Sequence, residues 1–454
     1  MPDSHNHRPR LVISAPKKSS GKTRVALGLA RALKNKGISV QGFKKGPDFI
    51  DPLWMSLATG RPTYNLDPWM MGNKAVLQSF GSHSQQAALS LIEGNHGLHD
   101  GLDEAGTTAG LARMLRAPVL LVVDVTGMNR GAAACVLGQV KMKPLARVGG
   151  VILNRVKSTR QLDKVIQAIE ANTGVPVLGA LPEASAGILE RHLGLVTPHE
   201  VAETELVMQA LANAVGPHCD LERILHLAAQ APPWKAAAAP HPAKAETKIR
   251  LGLFQDPAFC FYYSDNLQAL EQAGAELVLL NALQDAALPA IDGLYIGGGF
   301  PESFLPELSG NHNLLRSIRQ QVQAGLPVYA ECGGLVYLSR TATWQGKTYP
   351  LLGLLDLEIQ YHAKPQGHGY MELQPTTPAA WLKGIKPFRG HEFHYSQILG
   401  NPPAGCSYQL ARGQGLGQQQ DGLLQGNVFA SYAHVHAGAC PGWAPGLVAW
   451  MKGV

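Results

Sequence analysis

The sequence predicts an α/β protein made of two doubly wound units, each a parallel sheet covered by helices. Three observations predict it. Short apolar runs at residues 11–13, 40–44, 87–92, 118–125, 148–153 and 175–181 alternate with helical patterns at 24–33, 106–115, 132–142 and 160–173, the rhythm of a parallel sheet with crossover helices. Residues 231–247 are rich in Pro and Ala, have no hydrophobic period and read as a linker. Beyond them the alternation restarts, with strands at 249–254, 276–280, 293–296 and 327–330 and helical patterns at 263–273 and 305–324. The expected organisation is therefore a first domain over 1–230, a linker over 231–247 and a second domain over 248–454.

At 454 residues the chain has room for two domains of ordinary size. Its net charge of +6 favours an anionic ligand but is spread along the sequence, so nucleic acid is not implied. The six cysteines show no C-x-x-C spacing, which argues against a zinc site and a disulfide framework. No apolar run approaches the roughly 18 residues that a membrane span needs. The polar start lacks the core of a signal peptide. A cytoplasmic enzyme or binding protein is the expectation.

Residues 14–23, Ser-Ala-Pro-Lys-Lys-Ser-Ser-Gly-Lys-Thr, follow the first apolar run and open onto the first helical pattern. Strand, small-residue loop, Gly-Lys-Thr and helix form the context of a phosphate-binding loop. Its backbone N–H groups, around Ser20 and Gly21, and the free N–H groups of the helix start point at an anion. Lys22 is placed to reach the β- and γ-phosphates of ATP and Thr23 to hold Mg²⁺. Pro16 stands where the usual pattern has its first Gly. Lys17, five residues before Lys22, is placed like the extra lysine of deviant Walker A loops.

The second run feeds Lys45-Gly46-Pro47-Asp48-Phe49-Ile50-Asp51-Pro52, acids and lysines at a strand's carboxyl end, where α/β folds place ligands. The third ends at Glu93, a candidate Mg²⁺ partner for the phosphate loop, followed by a glycine-rich stretch to Gly101. In the second domain the run at 327–330 feeds Glu331-Cys332-Gly333-Gly334. A cysteine on a tight strand-to-helix turn resembles a nucleophile elbow. Its base is expected far away in sequence. His434, delivered by the strand at 428–432, is the first candidate and His436 the second.

With these segments placed, the chain resembles the cobyrinic acid a,c-diamide synthase family from about residue 11 to about residue 436. The most specific stretches are 45–52, 93–101, 191–195, 330–334, 390–396 and 430–436. The resemblance implies a dethiobiotin-synthetase-like P-loop ATPase domain followed by a class I glutamine amidotransferase domain. Glutamine is then hydrolysed in the second domain, and ammonia amidates acetate side chains of an anionic tetrapyrrole activated by ATP in the first. Carried over by position, Cys332 is the nucleophile and His434 the triad histidine. His436 stands where many relatives carry the triad acid. Backbone N–H groups of 297–299 and Gly333 serve the oxyanion. Thr23, Asp48 and Glu93 match positions implied in Mg²⁺ binding or catalysis, Asp51 and Asp100 further functional acids, and Asn154 an adenine contact.

The sequence departs from the family at Met55, Asn95, His96 and His99, positions expected beside the macrocycle, so sirohaem stands beside cobyrinate as a substrate. The macrocycle is expected between the domains, with Trp54 packing against it and His391, His394 and Tyr395 bonding its carboxylates. A homodimer is left open. The alternative of another class is a partitioning or metallochaperone-type switch ATPase, suggested by Lys17 and opposed by the Cys332–His434 pair.

Overall fold

The computed structural model describes residues 7–183, 190–191, 194–234, 248–376 and 379–453. It divides into two compact units, Met1–Pro240 and His241–Val454. Of the motif at 191–195, His192 and Leu193 lie outside the described residues, as does most of the expected linker. The linker's first residues pack on the first unit. Ala231 and Trp234 are buried, and Trp234 stacks under Arg10 and against Phe80.

The first unit is a seven-stranded parallel sheet. Its strands are β1 (Arg10–Ser14), β2 (Val40–Lys45), β3 (Tyr64–Leu66), β4 (Leu89–Glu93), β5 (Val119–Asp124), β6 (Val148–Val156) and β7 (Val177–Pro182), in the order β3-β2-β4-β1-β5-β6-β7. Runs such as Val119–Val123 are apolar on both faces because helices cover both sides, and one core cluster lies on each face. Helix α1 (Lys22–Asn35) buries Val25, Ala26, Leu29, Ala30 and Leu33, spaced by three and four.

Strand β3 was not expected, and neither were two helices. Helix α2 (Ile50–Thr59) starts inside the 45–52 stretch. Pro68–His83 forms a helix over a Trp-Met-Met run, with Asp67 accepting from the Met70 N–H at its start. Two further helices, Thr204–Val215 and Leu221–Ala229, complete the described part of the first unit.

The second unit holds a nine-stranded mixed sheet. Its parallel part runs Ala275–Leu280, Ile249–Phe254, Gly293–Ile296, Val328–Glu331 and Val428–Ser431. Four antiparallel strands extend it, Gln420–Gln425, Cys406–Arg412, Gly367–Pro375 and Phe388–His394. Among the described residues no helix is long and apolar enough to cross a membrane.

Candidate functional site

In the first unit the expected residues gather at the carboxyl ends of β1, β4 and β2, which are neighbours in the sheet. The loop after β1 turns through left-handed backbone at Ser19 (φ 61°) and Gly21 (φ 90°). Gly21 is required twice over. A side chain there is strained, and its Cβ would lie 2.3 Å from Asn154 Nδ2. Asn154, from β6, donates to the Ser20 carbonyl at 2.9 Å and clamps the loop from beneath. Ser20 Oγ closes it by donating to the Lys17 carbonyl at 3.0 Å. Lys17 itself is exposed.

Thr23 Oγ1 donates to Glu93 Oε1 at 2.6 Å. Glu93 is 1% exposed, and its Oε2 has no hydrogen-bond partner among the described residues. Hard oxygen donors with spare acceptor capacity beside a phosphate loop fit Mg²⁺. Lys44, the penultimate residue of β2, knits the cluster. Its ammonium pairs with Asp51 and lies 3.4 Å from Glu93 Oε1 and 3.8 Å from Asp48 Oδ2. Burial would strip its proton, but Asp51, Glu93 and Asp48 outweigh burial and hold it charged. Burial, with repulsion from Asp51, pushes the Glu93 carboxyl up to about 7. Burial followed by the Lys44 charge lowers Lys22, against the pull of Glu93, Asp51 and Asp100. An arriving polyphosphate would supply the negative charge that Lys22 lacks.

Asp48 also accepts the Asp51 N–H at 3.0 Å, and Asp100 Oδ2 accepts the Gly97 N–H at 2.8 Å. Gly97 could carry no side chain, since its Cβ would meet the Pro16 carbonyl at 2.6 Å. The 94–101 loop is thereby laid on the phosphate loop. Lys44 carries no sequence motif. Its one signal is a lysine at the buried end of an apolar strand, followed by two acids.

Two neighbouring expectations fail. Trp54 is fully buried and donates its indole N–H to the Val196 carbonyl at 2.8 Å, so it is a core residue with no face for a ligand. Met55 is 1% exposed and packs against Gly42. Both lie within α2, a turn beyond its start.

In the second unit Cys332 sits at φ 49°, between strand Val328–Glu331 and the short helix Gly333–Leu338. Its N–H donates to the Ser431 carbonyl at 2.7 Å, tying the elbow to the adjacent parallel strand that delivers His434. Gly334 lets the helix pass the sheet, since a Cβ there would lie 2.3 Å from the Ile296 carbonyl oxygen. Burial first, then Glu302, pushes the thiol well up, against the Gly333 N–H that points at it. The resting sulfur is therefore a thiol that needs a base.

His434 is 2% exposed, and its Nδ1 lies 3.3 Å from Glu331 Oε2. A Cβ on Gly298 would lie 2.6 Å from His434 Cε1, so glycine is what lets the imidazole stand there. The glycine run serves unevenly. The Gly297 N–H is taken by the Tyr262 hydroxyl at 2.8 Å and is not an oxyanion donor, whereas Gly299 N stands 3.2 Å from the Cβ position of Gly333.

His391 and His394 are buried and find their partners within the second unit. The His391 and His434 backbones pair reciprocally and their rings stack at 4.9 Å, while the Tyr263 hydroxyl meets His391 Nδ1 at 3.0 Å. His394 stacks on Tyr432 and meets Glu392 Oε2 at 3.2 Å. The motif at 390–396 alternates buried residues with the exposed Phe393 and the half-buried Tyr395, and the Phe393 carbonyl lies 3.9 Å from Cys332 Sγ. His436 is engaged elsewhere, with Asp265 Oδ2 3.5 Å from its Nε2 and the Gly438 N–H on its Nδ1.

Comparison with known proteins agrees with this division. Residues 250–441 match the model of the CobB/CobQ-like glutamine amidotransferase domain, and residues 70–187 match that of an AAA domain. The chain is 45% identical to the cobyrinate a,c-diamide synthase of Magnetococcus marinus, over 98% of this chain and 97% of that one. It is 40% identical to the synthase of the same name from Archaeoglobus fulgidus, over 94% of each chain. It is also 40% identical to that of Syntrophotalea carbinolica, over 98% of this chain and 99% of that one.

Proposed function

The chain belongs to the cobyrinate a,c-diamide synthase family, and on that premise we propose that it converts the a and c acetate carboxylates of cobyrinate to amides with ATP and glutamine. It is an amidating ligase with a glutamine amidotransferase domain, which sets aside the switch-ATPase reading. The observation that carries the proposal is that one chain holds both a loop able to cradle polyphosphate and a separate Cys332–His434 constellation able to release ammonia.

In the first unit the phosphate loop holds ATP, and Asn154 fixes the loop from below. Lys22 neutralises charge that develops on the γ-phosphoryl group as it passes to the substrate carboxylate. Thr23, Glu93 and Asp48 are the residues to hold Mg²⁺, which when bound screens the phosphate oxygens. Asp51 anchors Lys44 so that the cluster stays ordered around these donors. Asp100 ties the 94–101 loop against the phosphate loop. Ammonia then attacks the activated carboxyl carbon, and phosphate leaves.

In the second unit Cys332 Sγ attacks the side-chain carbonyl carbon of glutamine while its proton passes to His434. The oxyanion is met by backbone N–H groups of Gly333 and Gly299. His434 returns the proton to the departing ammonia, and water then cleaves the thioester to glutamate. The use of ATP and glutamine supports a cytoplasmic location.

The test is a substrate panel of cobyrinate and sirohaem with ATP, Mg²⁺ and glutamine, read by mass spectrometry. The proposal expects amides on cobyrinate. Product from sirohaem alone would overturn the substrate, and product from neither would overturn the tetrapyrrole assignment.

A further inference from the structure

We infer that Glu331, the residue immediately before the nucleophile, is the positioning residue that fixes His434 as the base for Cys332. This rests on reading the second unit as a glutaminase. The sequence position expected to hold the acid, 436, holds a histidine, and that histidine is engaged with Asp265 and Gly438. Glu331 lies at the carboxyl end of Val328–Glu331, paired in register with Ser431, three residues before His434. Side chains alternate along a strand, so Tyr329 and Glu331 share a face. The Tyr329 hydroxyl donates to Glu331 Oε1 at 2.8 Å and holds the carboxylate still. The other oxygen, Oε2, then meets His434 Nδ1 at 3.3 Å, and both side chains are 2% exposed.

A carboxylate only accepts, so the contact sets the His434 tautomer with its proton on Nδ1 and leaves Nε2 unprotonated, the form that can take the Cys332 proton. The Val435 N–H adds a second donor to Oε1, also at 3.3 Å. Both 3.3 Å contacts are longer than the usual 2.9–3.0 Å for N–H···O bonds. Such a pair gains most when the imidazole becomes an imidazolium, which is the moment the thiol is deprotonated.

The test uses the full chain. Glu331→Gln keeps the shape and removes the charge. It should lower kcat for glutamine-dependent amidation by about 100-fold or more, leave the KM for glutamine within about threefold, and leave ammonia-dependent amidation unchanged. In a His434→Ala background the same substitution should cost less than about threefold more, because its effect runs through the imidazole. Turnover within threefold of wild type, a loss confined to KM, or a full second loss in the double variant would each overturn the inference. If Glu331→Gln does not fold, the wild type still decides it. With ¹⁵N-labelled histidine and His434 assigned by its loss in His434→Ala, the Nδ1–H tautomer supports the inference and the Nε2–H tautomer overturns it. Cys332→Ala separates the two readings. If that variant keeps glutamine-dependent turnover, the glutaminase reading itself is wrong. If it loses it while Glu331→Gln does not, only the role of Glu331 falls.

Discussion

The two units solve opposite electrostatic problems with the same architectural device, side chains at the carboxyl ends of parallel strands. The first concentrates charge. Lys22, Lys44, Asp48, Asp51 and Glu93 lie in one cluster, and Lys44 stays protonated although buried because three carboxylates surround it. The second suppresses charge. Its thiol is held neutral by burial, and the candidate base, His434, meets Glu331 through Nδ1 and stacks on the His391 ring. Phosphoryl transfer needs fixed countercharge for a polyanion, whereas acyl transfer needs a proton to move at the right moment. The contrast teaches that a strand end supplies placement, and the chemistry follows from which charges the core leaves uncompensated.

The largest expected effect is at Lys22. Lys22→Ala should abolish synthesis with glutamine and with ammonium salts alike, since the loss precedes any use of nitrogen. Amidation at the wild-type rate with ammonia would break the division between the units. Lys44→Met should come next. It leaves three buried or half-buried acids without their cation, which typically costs about 3–5 kcal/mol. Calorimetry should show the first unit melting earlier, and an unchanged transition would mean that the cluster is not a structural ion network.

Gly298→Ala should act on the second unit alone. The added methyl would overlap His434 Cε1, so glutamine-dependent turnover should fall about 100-fold while ammonia-dependent turnover holds. Equal loss with both donors would show that the clash spreads beyond the imidazole.

How much of this was legible in the sequence depended on whether the partners were consecutive. The loop at 14–23 could be read because strand, loop and helix follow one another, and Glu93 because strand ends are recognisable. Cys332 and His434 announced themselves by residue type. Lys44 and Glu331 did not, because each acts through a partner on another strand, and a lysine or acid ending an apolar run has no motif. Trp54 and Met55 were misplaced because nearness to Asp48 in sequence was read as nearness to the ligand. Helix α2 begins at Ile50 and carries both into the core. The polar face of 390–396 looked like a binding surface, but its histidines find partners within the second unit, namely Tyr263, Glu392 and Tyr432.

The smallest expected effect concerns Asp421, a fully buried carboxyl that accepts the Tyr432 and Ala433 N–H groups just before His434. Burial outweighs these bonds and pushes it up to about 7. An acid raised in the folded state binds protons that the unfolded chain releases. Its contribution is therefore full below the ordinary carboxylate range and is lost as pH rises towards 7. The stability advantage of the wild type over Asp421→Asn should shrink between about pH 4 and pH 7. A constant difference across that window would show that Asp421 stays ionised throughout.

The most direct measurement is amidation of cobyrinate by Cys332→Ala, assayed with glutamine and with ammonium chloride side by side. Two chemically separate sites predict no product from glutamine and near wild-type product from ammonia. Loss of both activities in the folded variant, or retention of both, would contradict the account.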